Sequence, residues 1–213
     1  PSPPPAQPTF DPDKELRTLN ALFIGKEFTQ AAAGYIDFLR DYPASPAAEE
    51  VYYKLGECYR QLGRTADAID AFDRLLRQFP KGPYAPFALA RKGEVLLDGG
   101  RPVEAMALFD EVLTRAQSTG LQLNAKFSKV RAMRALGRAR EAVPLLEELA
   151  SVTENNPYRA YAALSLARFL ETQGVPVFSP RSNMFFEREE IRLMIGALIF
   201  LFPQFPKVRA WAE

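Results

Sequence analysis

The sequence offers few of the side chains from which a catalytic or metal-binding site is built. Its 213 residues include one cysteine, Cys58, and no histidine. A single thiol without histidine cannot form a cysteine–histidine nucleophile pair, an ordinary zinc site or an internal disulfide framework. Carboxylates are numerous but scattered, and no glycine-rich phosphate loop is present. We therefore expect a protein without enzymatic activity and without a metal or cofactor.

The overall charge gives no reason to expect a nucleic-acid partner. The net charge is +1 and charged residues make up 25% of the chain, as in an ordinary soluble protein. One run, from Lys126 to Arg140, carries six basic residues and no acid. It could be a patch for an acidic partner or nucleic acid, with Phe127 available for stacking. We favour a solvated helix edge whose charge is balanced by nearby acids: Glu141, Glu147 and Glu148.

A second set of residues is suited to binding rather than catalysis. Aromatic or apolar side chains recur about one helical turn from acids and arginines in four predicted helices. The candidate partner-binding residues are Tyr53, Glu57, Arg60, Phe87, Glu94, Leu97, Phe127, Arg131, Arg134, Tyr161, Leu164 and Arg168. Tyr53, Phe87 or Phe127 could bury an apolar side chain of an extended or helical peptide, and each such anchor contributes about 1.5–3 kcal/mol. Alternatively, these aromatics simply pack on the neighbouring repeat.

The helices that position these residues repeat at a fixed step of 37 residues. Glycines mark the step most clearly, at Gly63, Gly100, Gly137 and Gly174. An alanine series and an apolar series keep the same register: Ala68, Ala105 and Ala142, then Phe72, Phe109 and Leu146. A period of this size indicates a stack of helical repeats.

The best-defined unit carries a recognisable signature. Tyr52-x-x-Leu55-Gly56-x-x-Tyr59 is followed by Ala68-x-x-x-Phe72 and then by Pro80. This pattern resembles the tetratricopeptide repeat, with tyrosine in the tryptophan place. The resemblance implies pairs of antiparallel helices in a right-handed superhelix, whose first helices line a concave groove. The small residues Gly56 and Ala68 lie where the two helices must cross closely.

The predicted fold is an all-α solenoid of about five helix pairs. The repeats are expected at residues 13–43, 47–80, 84–117 and 121–153, and 158–174 forms the first helix of a fifth. Either Asp11 or Asp13 can cap the first helix. Pro144 is expected early in the second helix of the fourth repeat, where a missing N–H is tolerable. Glu49 and Glu50 are interpreted as first-turn acids favoured by the helix dipole.

The ends of the chain differ from the repeats. Residues 1–12 are proline-rich and predict a disordered linker. Residues 175–186 break the pattern and predict an insertion loop. Residues 187–213 predict an apolar helix and a cap, either buried against the fifth repeat or in contact with a partner. Because the sequence does not begin with Met, we expect a mature form or an excised piece of a longer chain, and whether a signal or anchor was removed stays open.

The period points to a subgroup of these repeats. Ordinary tetratricopeptide repeats have a step of about 34 residues. A step of 37 with Tyr-Pro or Phe-Pro helix ends is similar to the bacterial Tol-Pal coordinator and the outer-membrane assembly lipoprotein. That resemblance implies a periplasmic or outer-membrane-associated scaffold for a protein or peptide partner, with any membrane association made indirectly through a removed anchor. A cytoplasmic assembly or oligomerisation adaptor, or an accessory domain of a larger enzyme, remains the alternative. The partner's identity and the oligomeric state stay open.

Overall fold

The computed structural model describes residues 11–152 and 156–172, which fold into α-helices joined by short turns. The helices are α1 Pro12–Ile24, α2 Phe28–Asp41, α3 Ala48–Gln61, α4 Thr65–Gln78, α5 Ala85–Asp98, α6 Pro102–Arg115, α7 Thr119–Ala135, α8 Val143–Ser151 and α9 Arg159–Thr172. No strand occurs among these residues, and the predicted all-α repeat fold is confirmed. The predicted insertion and C-terminal helix, and most of the proline-rich linker, lie outside the described residues. No described helix is long and apolar enough to cross a membrane.

The chain divides into two compact units, residues 1–99 and residues 100–213. In the first unit, helices α1 to α5 pack in chain order, each against the next, and α3 also contacts α5. In the second unit, α6 packs on α7, α7 on α8 and α8 on α9. Packing between chain neighbours is expected of a repeat array, because each helix buries its apolar face on the helices beside it.

The core of the first unit depends on a close crossing of α3 and α4. Phe72 is fully buried and lies directly against Gly56. A Cβ at Gly56 would lie 2.5 Å from Cε1 of Phe72, which is closer than any normal contact. The absence of a side chain at Gly56 therefore lets the phenylalanine ring fill the space between the two helices.

Proline ends the second helices of the first two repeats. The last helical residues, Asp41 and Gln78, are followed by Tyr42 and Phe79 with φ angles of −129° and −126°. Each of these aromatics precedes a proline, which disfavours helical backbone in the preceding residue. The Tyr-Pro and Phe-Pro pairs are thus stop signals with a steric cause.

The turns within the repeats require left-handed backbone. Gly63, Gly100 and Gly137 have φ angles of 70°, 76° and 71°. The same place in the first repeat, 37 residues before Gly63, is held by Lys26 with a φ of 63°. Glycine adopts this conformation without a steric penalty, whereas lysine does not. The sequence pattern located the three glycines but gave no sign that Lys26 shares their geometry.

The fourth repeat departs from the expected helix pair. Residues Ala139–Ala142 form a 3-10 turn, and the α-helix begins only at Val143. Pro144 lies in the first turn of α8, where it needs no N–H partner. A regular α-helix beginning at Ala139 would place Pro144 in its interior, so residues Ala139–Ala142 form the tighter 3-10 turn instead.

At the start of the described residues, Asp11 is the cap of α1, since its carboxylate accepts the Asp13 N–H at 3.0 Å.

Cys58 lies in the core of the first unit with no exposed surface. Burial, with a smaller contribution from the charge of Glu57, raises the pKa of the thiol to about 12. Cys58 is therefore protonated at ordinary pH and behaves as a small apolar side chain.

We predict that Gly56→Ala lowers the free energy of unfolding by about 1–3 kcal/mol, because the added methyl overlaps the buried Phe72 ring. Urea denaturation measures the change. Gly120→Ala is the matched control, since a Cβ there meets only Oγ of Ser118, at 3.7 Å. The control should be neutral or stabilising by about 0.5–1 kcal/mol. Equal effects of the two substitutions would contradict the close-crossing interpretation.

Candidate functional site

The first unit brings together five of the predicted binding residues on α3 and α5: Tyr53, Glu57, Arg60, Phe87 and Glu94. Glu57 accepts two hydrogen bonds from Arg60, one from Nε to Oε1 and one from Nη2 to Oε2, both at 3.0 Å. Arg91 then links the two helices. Its Nε lies 3.7 Å from Oε1 of Glu57, and its Nη1 donates to Oε2 of Glu94 at 2.7 Å. Two arginines and two glutamates thus form one alternating network across the helix pair.

The network is partly buried and pairs two arginines with two glutamates. The side chains of Glu57 and Glu94 are only 10% and 14% exposed. Burial acts to lower the pKa of Arg91, but the charge of Glu94 and hydrogen bonds to Tyr53 and Glu94 together raise it above its usual value. The hydrogen bond to Glu57 likewise raises the pKa of Arg60. Opposite charges therefore balance, and the surface carries no net charge from this group.

Aromatic rings lie beside this network. Tyr53 packs on Tyr84 and Phe72, with ring centroids 5.3 and 6.2 Å apart, and meets Phe87 edge to face at 6.4 Å. Phe72 is fully buried and Tyr53 is half-buried, whereas Phe87 is 42% exposed. Packing on the neighbouring repeat accounts for Tyr53, whereas Phe87 keeps an accessible apolar face. We call Phe87 with the Glu57–Arg91 network the first surface.

A buried carboxylate fixes the start of α5 and hence the place of Tyr84. Glu49 is 8% exposed and accepts the Tyr84 N–H on Oε1 at 2.7 Å. A Cβ at Gly82 would lie 2.1 Å from the same oxygen, so this carboxylate needs a glycine beside it. Glu50, by contrast, pairs with Lys54 on its own helix. Glu49 is therefore a cap of the next repeat, which its interpretation as a first-turn acid did not anticipate.

The second unit brings together Phe127, Arg134 and Tyr161 on α7 and α9. Phe127 stacks on Tyr158 with ring centroids 4.4 Å apart and meets the Tyr161 ring edge to face at 4.9 Å. Arg134 donates a hydrogen bond to the Tyr161 hydroxyl and lies over the same ring. Asn124 donates to the Tyr158 hydroxyl at 3.0 Å. Phe127 therefore packs on aromatic rings of the neighbouring repeat, which was the alternative to a role in peptide binding.

A cavity of about 270 Å³ opens beside this aromatic group. Its apolar walls come from α8, α9 and the 3-10 turn, and two exposed arginines also line it. The lining residues are Arg134, Ala139, Ala142, Leu146, Tyr161, Leu164, Ser165, Arg168, Phe169 and Thr172. Four predicted binding residues, on α7 and α9, therefore meet in one place. We call this cavity with its two arginines the second surface.

Two other predicted binding residues, Leu97 and Arg131, belong to neither surface. Leu97 is only 9% exposed, so it presents little surface to a partner. Arg131 is half-buried on α7.

In the basic run from Lys126 to Arg140, Lys126 pairs with Glu148, Lys129 with Asp110 and Arg138 with Glu141. These pairs favour the interpretation of that run as a charge-balanced helix edge.

Sequence reasoning missed Arg91, which belongs to the first surface, and also Tyr84 and Tyr158, whose rings pack on Tyr53 and Phe127. Arg91 lies four residues after Phe87 and three before Glu94, so helical spacing alone could have placed it on their face. Tyr84 and Tyr158 lie two repeat steps apart, immediately before their helices. In the described residues, no group of three or more acidic or sulfur side chains could hold a metal ion.

We predict that Glu57→Gln lowers the free energy of unfolding by about 1–3 kcal/mol, because it leaves Arg60 and Arg91 poorly paired in a partly buried place. Asp70→Asn is the control, since Asp70 pairs with Arg74 at 2.8 Å where both side chains are more than half exposed. That loss should stay below about 1 kcal/mol. Thermal or urea unfolding measures both, and a larger effect at Asp70 would be evidence against the network's role.

Comparison with known proteins agrees with this architecture. A family model described as tetratricopeptide repeat matches residues 20–83. No curated protein sequence matches the chain significantly. A putative kinesin light chain from Podosopora anserina with nearly identical TPR-like repeats is 16% identical, with a TM-score of 0.63 over 92% of this chain and 98% of that one.

Two further structures with this fold belong to proteins that bind peptides. YrrB, a TPR protein with an unusual peptide-binding site, is 20% identical with a TM-score of 0.59, over 94% of this chain and 91% of its own. The Rap conjugation regulator of plasmid pLS20, in complex with the Phr* peptide, is 19% identical with a TM-score of 0.54, over 92% of this chain and 55% of its own. Residues 20–83 thus match the tetratricopeptide repeat model, and the chain has the fold of tetratricopeptide repeat proteins.

Proposed function

We propose that this protein is a non-catalytic interaction scaffold that binds an extended or helical peptide segment of a protein partner. The observation that carries the proposal is the exposed Phe87 ring, which lies beside a rigid and charge-balanced ionic network. A fixed apolar ring next to hydrogen-bonding groups is the usual composition of a binding hot spot.

The first surface suits a peptide because it is already ordered. Tyr53 packs against Phe87, and Arg91 joins α3 to α5 through Glu57. A ligand that docks here does not have to pay for ordering of these side chains, which lowers the entropic cost of binding. The glutamates can accept backbone N–H groups of a peptide and the arginines can donate to its carbonyl groups.

The comparisons support a peptide partner at the level of the fold. YrrB is described as having a peptide-binding site, and the Rap regulator was solved with a peptide bound. The state of Cys58 supports a non-catalytic role, since a buried thiol with a pKa of about 12 is not an available nucleophile.

We predict that Phe87→Ala weakens partner binding roughly tenfold, since the exposed ring is the apolar anchor of the first surface. Partners would be captured by photocrosslinking in the native cell and affinities then measured with the purified partner. Ile24→Ala is the matched control, because Ile24 is 79% exposed in the same unit but lies outside the first surface. Equal affinities for the two variants would exclude Phe87 as an anchor.

We further propose that the protein acts in a bacterial cell envelope, periplasmic or associated with the outer membrane. The step of 37 residues and the proline-terminated helices support this placement through their resemblance to envelope repeat proteins. Osmotic-shock fractionation of the native cell, followed by immunodetection, tests it. We expect the protein in the periplasmic or membrane fraction, and recovery with cytoplasmic markers would overturn the placement.

A further inference from the structure

The second surface combines an apolar cavity with positive charge. Leu146, Leu164 and Phe169 supply apolar lining, and Arg134 and Arg168 line the same cavity while remaining exposed to solvent. The Tyr161 hydroxyl accepts a hydrogen bond from Arg134 and so holds that guanidinium in place.

Arg134 and Arg168 differ from the neighbouring basic residues in their described partners. Lys126, Lys129 and Arg138 each form an ion pair with a carboxylate. Among the side chains described in residues 100–152, 156–170 and 172, no carboxylate forms an ion pair with Arg134 or Arg168, and the only polar partner of Arg134 is the Tyr161 hydroxyl. An incoming carboxylate would therefore gain charge-assisted hydrogen bonds without displacing an existing partner.

The size of the cavity limits what enters it. Its volume of about 270 Å³ lies below the range of about 300–1,000 Å³ that is usual for sites binding drug-sized molecules. A single large apolar side chain with part of its backbone fits this space better than a cofactor. The two surfaces also differ in charge, because the arginines of the first surface are already paired with Glu57 and Glu94.

We propose that the second surface binds a peptide in which a large apolar residue is followed by an acidic one. The apolar side chain enters the cavity between α8 and α9, and the carboxylate bonds to Arg134 and Arg168. This rests on the proposed peptide-binding function and adds the sequence class of the peptide.

Synthetic peptide pools test the proposal with the full chain. Each pool has randomised flanks, blocked termini and a fluorescent label, and a fixed central pair: Leu-Asp, Leu-Asn or Ala-Asp. Fluorescence anisotropy should show the Leu-Asp pool binding roughly tenfold more tightly than either other pool, because one charge-assisted contact or one buried side chain is lost in each. The preference for Asp should fall as salt is added.

Two variants with the same change of charge locate the effect. Arg168→Gln should reduce the preference for Leu-Asp over Leu-Asn to about twofold or less, since it removes one of the two cationic partners. Arg101→Gln should leave the preference intact, because Arg101 is paired with Glu104 and does not line the cavity.

The outcomes separate this inference from the proposed function. If all pools bind equally and Phe87→Ala weakens them, the peptide-binding function stands and the acidic selectivity is wrong. If no pool binds and no variant matters, the peptide-binding function fails as well. If no pool binds but Arg168→Gln lowers the free energy of unfolding, the cavity is filled by the chain's own residues, and the proposal is overturned.

Discussion

The close crossing of α3 and α4 is the constraint on which the first unit depends. Gly56 has no side chain, and the buried Phe72 ring occupies the space that a Cβ would need. The same ring packs against Tyr53, so the contact that closes the helix pair also sets the position of a residue in the first surface. A residue larger than glycine would push the helices apart and move the surface with them.

A second contact, between Glu49 on α3 and the backbone of Tyr84, positions the next repeat against this helix pair. The Glu49 carboxylate accepts the Tyr84 N–H at the start of α5, and Tyr84 packs on Tyr53, which in turn meets Phe87. Buried carboxylates are costly unless their oxygens are hydrogen-bonded, so Glu49 favours the one position of α5 that supplies the donor. The exposed Phe87 ring is thereby held on a base that is ordered before any ligand arrives, which is what a binding hot spot requires.

The step of the repeats and several of their turns and helix ends follow from local sequence alone. Gly63, Gly100 and Gly137 are needed at left-handed turns, and the prolines after Tyr42 and Phe79 forbid the helix to continue. These requirements act on the local backbone, so they can be read without knowing the fold. Lys26 escaped detection because lysine adopts the same left-handed conformation only when the surrounding structure over-determines it.

Which side chains meet and which remain exposed depends on how the helices pack against one another. Helical spacing placed Tyr53, Phe87 and Phe127 in one category, yet the structure packs Phe127 on Tyr158 and leaves Phe87 42% exposed. Leu97 followed the same repeat register but is buried. Likewise, the charge balance of the first surface and the meeting of Arg134 and Arg168 at the second depend on distances between different helices. Local sequence fixes the direction of a side chain from its own helix, but burial and pairing depend on what the neighbouring helices bring against it.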